Sequence, residues 1–164
     1  MITPAYAQTM AAYNRRLNRM VYDAAACLTD AERTADRGAF WRSVHGTLCH
    51  LLWADRMWMN RFDGWDKPEQ PLRDSHALYS DFEILEEARA EADAEIIAWA
   101  QRLDADWLDG HESWFSGAIQ QQATRPRALL VMHMFNHQTH HRGQAHAMLT
   151  ATGQRMGDTD LWLL

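Results

Sequence analysis

The sequence predicts an all-α protein, a four-helix bundle with a longer connection between its third and fourth helices. Four long stretches repeat apolar residues at spacings of three and four, no comparable stretch alternates as a half-buried strand does, and no segment repeats another. With 164 residues the chain is long enough for one full core and short for two, so residues 1–164 read as one domain.

The first helix starts at Thr3, an N-cap candidate, followed by Pro4. Tyr6, Met10, Tyr13, Leu17, Met20, Ala24 and Leu28 form its apolar stripe, and it should end near Thr29. "TDAERTADRG" is a polar connection with room for one helical turn. A second helix opens near Ser43, with Val44, Thr47, Leu51, Ala54, Trp58 and Phe62 on one face. Residues 63–74 hold one glycine and two prolines and read as a loop. The third helix carries Leu78, Phe82, Leu85, Ala88, Ala92, Ile96, Trp99 and Leu103 as core contacts. Periodicity fails between 104 and 124, which reads as a short hairpin or an irregular excursion rich in aromatics. Pro126 restarts a helix that runs to Gly153, a C-terminal stop. The tail "QRMGDTDLWLL" ends in apolar residues that need a docking place. Both longer connections, 63–74 and 104–125, leave room for a crossover, so a simple up-down-up-down path is not assumed.

Composition narrows the function. A formal charge of −6, with no basic stripe, gives nothing to neutralise a phosphate backbone, so no nucleic-acid partner is expected. The N-terminal segment has no basic stretch leading into an apolar run, and no long apolar run occurs elsewhere, so no membrane partner and a cytoplasmic location are expected. Cys27 and Cys49 are too few for a disulfide framework and read as small buried residues. The 9 methionines and 8 tryptophans read first as packing, and their abundance points to a homodimer closed by a helical face or by "LWLL".

Five of the 9 histidines fall within "HMFNHQTHHRGQAHAML", residues 133–149. Leu130, Met134, His137, His141, Ala145 and Met148 follow the rhythm of an inward-facing stripe. His137 and His141 therefore occupy consecutive core positions, with His133 and His140 toward one side and His146 pointing away. Neutral imidazoles among apolar neighbours leave ring nitrogens unsatisfied, which is costly. A metal ion removes that cost, and histidines at i and i+4 project together onto one ion. The second helix offers a third ligand in His50; His45 lies about 140° around that helix and cannot easily share the ion.

The segments "NHQTHHRGQ" and, some ninety residues upstream, "LCHLLWAD" resemble the signature of the DinB family of metalloenzymes, and the likeness extends over nearly the whole chain. It implies a four-helix bundle holding a divalent metal through His50, His137 and His141, often as a homodimer. His140 precedes the ligand in the motif and is not expected to bind. Asn136 and Gln144 could hydrogen-bond a ligand ring or a metal-bound water, or only solvate the helix edge. Gly143, at a cost of roughly 1 kcal/mol in mid-helix, suggests close helix approach, either within the bundle or across a dimer. Arg142 reads as a partner for an acidic residue, Asp55 being one candidate, or as a solvated charge.

Three histidines leave coordination positions open, as in catalytic sites. Zinc, nickel, iron and manganese all suit them. Family members with this pattern include thiol-dependent S-transferases and a maleylpyruvate isomerase. The resemblance thus implies a metal-dependent transferase using a low-molecular-weight thiol and a small-molecule electrophile, the electrophile framed by Trp53, Trp58, Trp107 and Trp114. A non-catalytic metal-binding stress or interaction protein and a metal-dependent hydrolase are the alternatives. No acid or base stands out among Tyr6, Tyr13, His133 and Asp55.

Overall fold

A computed structural model describes residues 1–117 and 119–164. Thr3 caps α1 (Pro4–Ala26), its hydroxyl accepting from the Tyr6 amide at 3.3 Å. A capping box of Thr29 and Glu32 opens the single turn α2 (Asp30–Thr34). Ser43 caps α3 (Val44–Asp63), which ends at Gly64 in the left-handed region. Asp81 caps α4 (Phe82–Arg102), and Asp104 caps the short α5 (Ala105–Asp109). Strands β1 (His111–Ser116) and β2 (Gln121–Pro126) pair antiparallel, His111 opposite Pro126 and Ser116 opposite Gln121. The last long helix is α6 (Arg127–Ala151), followed by Gly153 at φ 88°.

The expected helix starts at Thr3 and Ser43 and the stop at Gly153 are thus in place. The chain is mostly helical rather than all-α, because residues 111–126 close a hairpin where periodicity fails. Leu78 and Leu103, expected within the third helix, lie just outside α4.

The four long helices form a ring of neighbours, α1 against α4 and α6, and α3 against α4 and α6. Two apolar clusters fill the ends. One joins the C-terminal half of α1 to the first halves of α3 and α4 and the last turns of α6. The other joins the start of α1 to the ends of α3 and α4 and the start of α6. Both α3 and α4 therefore run opposite to α1 and α6, and residues 64–81 are the lengthwise crossover. The longer 103–126 connection instead stays at one end.

The crossover descends along α3. Trp53 Nε1 donates to Gln70 O at 2.8 Å, His50 Nδ1 meets Ser75 Oγ at 2.9 Å, and His45 Nε2 meets Tyr79 O at 2.8 Å. A 3-10 turn at Leu72–Ala77 carries Ser75 into this contact, where it is fully buried.

Between the apolar ends lies a buried polar layer. Arg89 Nη1 donates to Asp55 Oδ2 at 2.6 Å, and Arg89 Nη2 pairs with Asp93 Oδ1 at 2.9 Å. Asn18 Nδ2 donates to Asp93 Oδ1 at 2.9 Å, while Arg142 donates to Asn18 Oδ1 at 3.2 Å and Asn14 Oδ1 at 2.9 Å. Two carboxylates and two guanidiniums thus share one dehydrated layer fed by all four long helices. Asp55 belongs to Arg89, not to Arg142 as the sequence suggested; Arg142 instead takes two amide oxygens and lies over the Tyr13 ring at 5.6 Å. Without a carboxylate in contact, burial pulls its guanidinium down to about 10.

The expectation for the cysteines is corrected in part. Cys49 is buried but Cys27 is exposed, because the stripe of α1 turns it outward at the helix end. A Cβ at Gly143 would meet no atom of the described residues within 4 Å, so packing within this chain does not require a glycine there. The tail is tethered at Thr159, whose carbonyl accepts from Tyr13 Oη at 2.6 Å, yet Trp162 beyond it remains 79% exposed and does not dock on this chain. Among the described residues no helix is long and apolar enough to cross a membrane.

Two stability predictions follow from this packing. Arg89→Met strands two buried carboxylates and should lower the unfolding free energy by about 3–5 kcal/mol in urea denaturation; a loss below about 1 kcal/mol would show that the layer is not a closed ion network. A Cβ at Gly46 would lie 2.6 Å from the Trp41 carbonyl oxygen, so Gly46→Ala should cost about 1–3 kcal/mol, whereas Gly143→Ala should gain about 0.5–1 kcal/mol.

Candidate metal centre

His137 and His141 project together from α6 because four residues make about one turn. His50 meets them from α3, since that helix packs directly on α6. One ring nitrogen from each of the three lies within 4.8 Å of the others. His50 Nε2 and His137 Nε2 are 3.2 Å apart. Two nitrogens each about 2.0–2.1 Å from a tetrahedral ion stand about 3.3 Å apart, so this pair already has the spacing of two ligands on one ion.

Ring orientation is fixed from behind. Ser75 Oγ holds His50 Nδ1, and Gln144 Oε1 holds His141 Nδ1 at 2.8 Å. The amide oxygen of Gln144 only accepts, so His141 carries its proton on Nδ1 and presents a bare Nε2. The nitrogen of the same amide lies 3.3 Å from His140 Nε2. His137 Nδ1 is buried with no partner among the described residues. His50 is stacked against Trp41, centroids 4.1 Å apart, with Trp53 on a parallel plane at 6.1 Å. Trp41 reaches it because the 39–42 turn folds onto α3 at Gly46.

Burial keeps the rings neutral. It lowers the His50 pKa from the ordinary 6.5 to about 3, helped by the neighbouring His137 and His141. His137 is likewise lowered to about 3 by burial and then by His141, His133 and His140. His141 is lowered by burial, partly opposed by Gln144. Neutral imidazole is the form that ligates a metal, so the donor set suits a divalent ion of zinc or first-row transition type.

A DinB family model matches residues 1–164. The chain belongs to the DinB family. It is also similar in fold to a crystal structure of a DinB-like protein from Bacillus cereus ATCC 10987, with a TM-score of 0.65 and 15% identity over 90% of this chain and 91% of that one. No curated protein is similar to it in sequence.

The DinB chain thus brings together the three histidines that the pattern singled out. His45 is occupied by the Tyr79 carbonyl, and His140 contacts Gln144. Asn136 is exposed, so of the two flanking amides only Gln144 reaches a ring. Of the four tryptophans, Trp58 and Trp114 meet edge to face at 5.9 Å, and Trp58 adjoins His133, which lies 5.1 Å from it and 6.0 Å from His137. Trp107 instead packs with Phe62 and Trp99 in the end cluster, and Trp53 is buried. Among the suggested acids and bases, Asp55 is locked by Arg89, Tyr13 by Thr159, and Tyr6 packs on Phe135. His133 alone of them adjoins the cluster.

Sequence reading missed Ser75, Trp41 and Arg89. Arg89 left a trace, an i,i+4 spacing to Asp93 beside the apolar stripe. Ser75 and Trp41 lie on connections whose paths no periodicity encodes.

These shifts give a pH dependence to the metal-free protein. Below 6.5 the unfolded chain protonates His50 and His137 while the folded chain resists until about 3, so the unfolded state binds more protons and stability falls through that window. Urea midpoints should therefore drop between neutral pH and about pH 5, and the drop should be shallower in a His50→Gln/His137→Gln double variant. Identical slopes in the two proteins would contradict buried, neutral rings.

Proposed function

We propose that this DinB chain is a divalent-metal-binding four-helix bundle, held through His50, His137 and His141, that acts as a transferase using a low-molecular-weight thiol. The observation that carries the reading is three neutral imidazoles converging from two helices, two of them oriented from behind by Ser75 and Gln144. When bound, the ion supplies Lewis acidity that lowers the pKa of a thiol or water.

The chain's own groups would do the rest. Ser75 and Gln144 keep two Nδ1 atoms engaged, so the Nε2 atoms stay free to coordinate. Trp41 covers one face of His50 and excludes water from it. His133, exposed and lowered by partial burial, would exchange a proton at its ring with substrate on the open side, where Trp58 and Trp114 offer an apolar wall. The exposed apolar tail, Leu161 to Leu164, supports a homodimer in which a second copy covers it.

Elemental analysis of untagged protein tests the centre. About one divalent ion per chain is expected, lost in His50→Ala and in His137→Ala. A folded wild type that takes up neither zinc, nickel nor manganese would refute it. On the cobalt-substituted protein, added glutathione should produce a sulfur-to-metal absorption band; ester hydrolysis without thiol and without that band would favour a hydrolase, and neither signal a non-catalytic binder.

A further inference from the structure

Beside the histidines, the same face carries a cation that forms no ion pair among the described residues. Arg61 lies in the last turn of α3, its guanidinium over the Trp58 ring at 4.7 Å and the Trp114 ring at 5.5 Å. Its one hydrogen bond among the described residues runs from Nη1 to Met57 O at 2.8 Å. None of the ion pairs among those residues includes it. Glu112, whose charge reaches it, is held by Arg127 at 3.3 Å.

A half-buried guanidinium has lost part of its hydration. The indole faces offset some of that loss, but they offer no acceptor to its remaining N–H groups. A carboxylate is the ligand group that completes such a fork. The position is continuous with the histidine cluster, since Trp58 adjoins His133 and His133 adjoins His137. Trp58 lies eight residues beyond His50 on α3, about 12 Å along the helix axis. Arg61 folds back one turn to the Met57 carbonyl, which sets its guanidinium near the level of Trp58.

We propose that Arg61, framed by Trp58 and Trp114, binds the carboxylate end of a ligand whose reacting end meets the histidine cluster. The ligand class is an elongated small molecule with an apolar or aromatic stretch and a carboxylate at the end opposite its reacting atom. This rests on the reading of the histidines as the reaction centre. Either the thiol or the electrophile of a transfer can bring the carboxylate.

Two probe pairs separate these sources: phenylbutyrate against phenylbutyramide, and glutathione against its dimethyl ester. Each is titrated calorimetrically into zinc-loaded wild type, Arg61→Met and Arg61→Lys, with zinc content measured on the same samples. In at least one pair the carboxylate should bind wild type about tenfold more tightly than the partner that lacks a free carboxylate. That preference should vanish in Arg61→Met and return in part in Arg61→Lys, with zinc content unchanged. Discrimination within the first pair assigns the carboxylate to the electrophile, within the second to the thiol. Equal binding within both pairs, or a preference that survives Arg61→Met, overturns the subsite. If wild type takes up no zinc, the metal reading fails, and the same titrations on zinc-free protein still decide the subsite by the same criterion.

Discussion

The charge-balanced layer of Asp55, Arg89, Asp93 and Arg142 is the constraint on which the rest of this structure depends. Each ion alone would cost several kcal/mol to dehydrate, and the cost is offset only when every partner is in place. The apolar ends are permissive by comparison, because Leu, Met and Ala repack with small penalties when a helix shifts. Sliding α3 or α6 by one turn would leave a carboxylate or a guanidinium buried and alone. The layer therefore selects one register for helices that apolar packing would allow in several.

That register is what assembles the candidate centre. His50 lies five residues before Asp55 on α3, while His141 immediately precedes Arg142 on α6. His137 precedes Gln138, which is fully buried beside Asp55. Fixing Asp55 against Arg89, and Arg142 against Asn14 and Asn18, places each helix relative to its neighbours. The imidazoles then meet without strong attraction of their own, and as neutral rings they could not have enforced the meeting.

Much of this was legible in the residues. The pair His137 and His141 could be read because both lie on one helix, where spacing alone fixes direction, and His50 because it borders an apolar stripe. The caps Thr3 and Ser43 and the stop at Gly153 are local chemistry and were equally plain. The layer was not, because Asn14, Asn18, Arg89 and Asp93 have the composition of a solvated face, and a helical pattern cannot distinguish a charge in water from one paired across the bundle. Ser75 and Trp41 depend on where two connections run, which the helix rhythm does not encode. The exposure of Cys27 was misread for a related reason, since apolar character states a preference for burial and not the presence of a partner within the chain.

The division between helices and connections also bears on chemistry. The three ring nitrogens sit on long helices whose positions are fixed by the layer, while the crossover supplies Ser75, the 39–42 turn supplies Trp41, and the hairpin supplies Trp114. Residues held on helices keep a coordination geometry to within tenths of an ångström, as a metal requires; walls carried by connections can change without disturbing that geometry. Arg61 and Trp58 occupy the border, on the last turns of α3 but completed by the hairpin. On the proposed reading of this rim as a ligand subsite, a change in hairpin sequence would alter which ligand is accepted while leaving the histidines and the buried charges untouched. In this architecture the middle of the bundle decides whether there is a site at all, and its rim decides what the site receives.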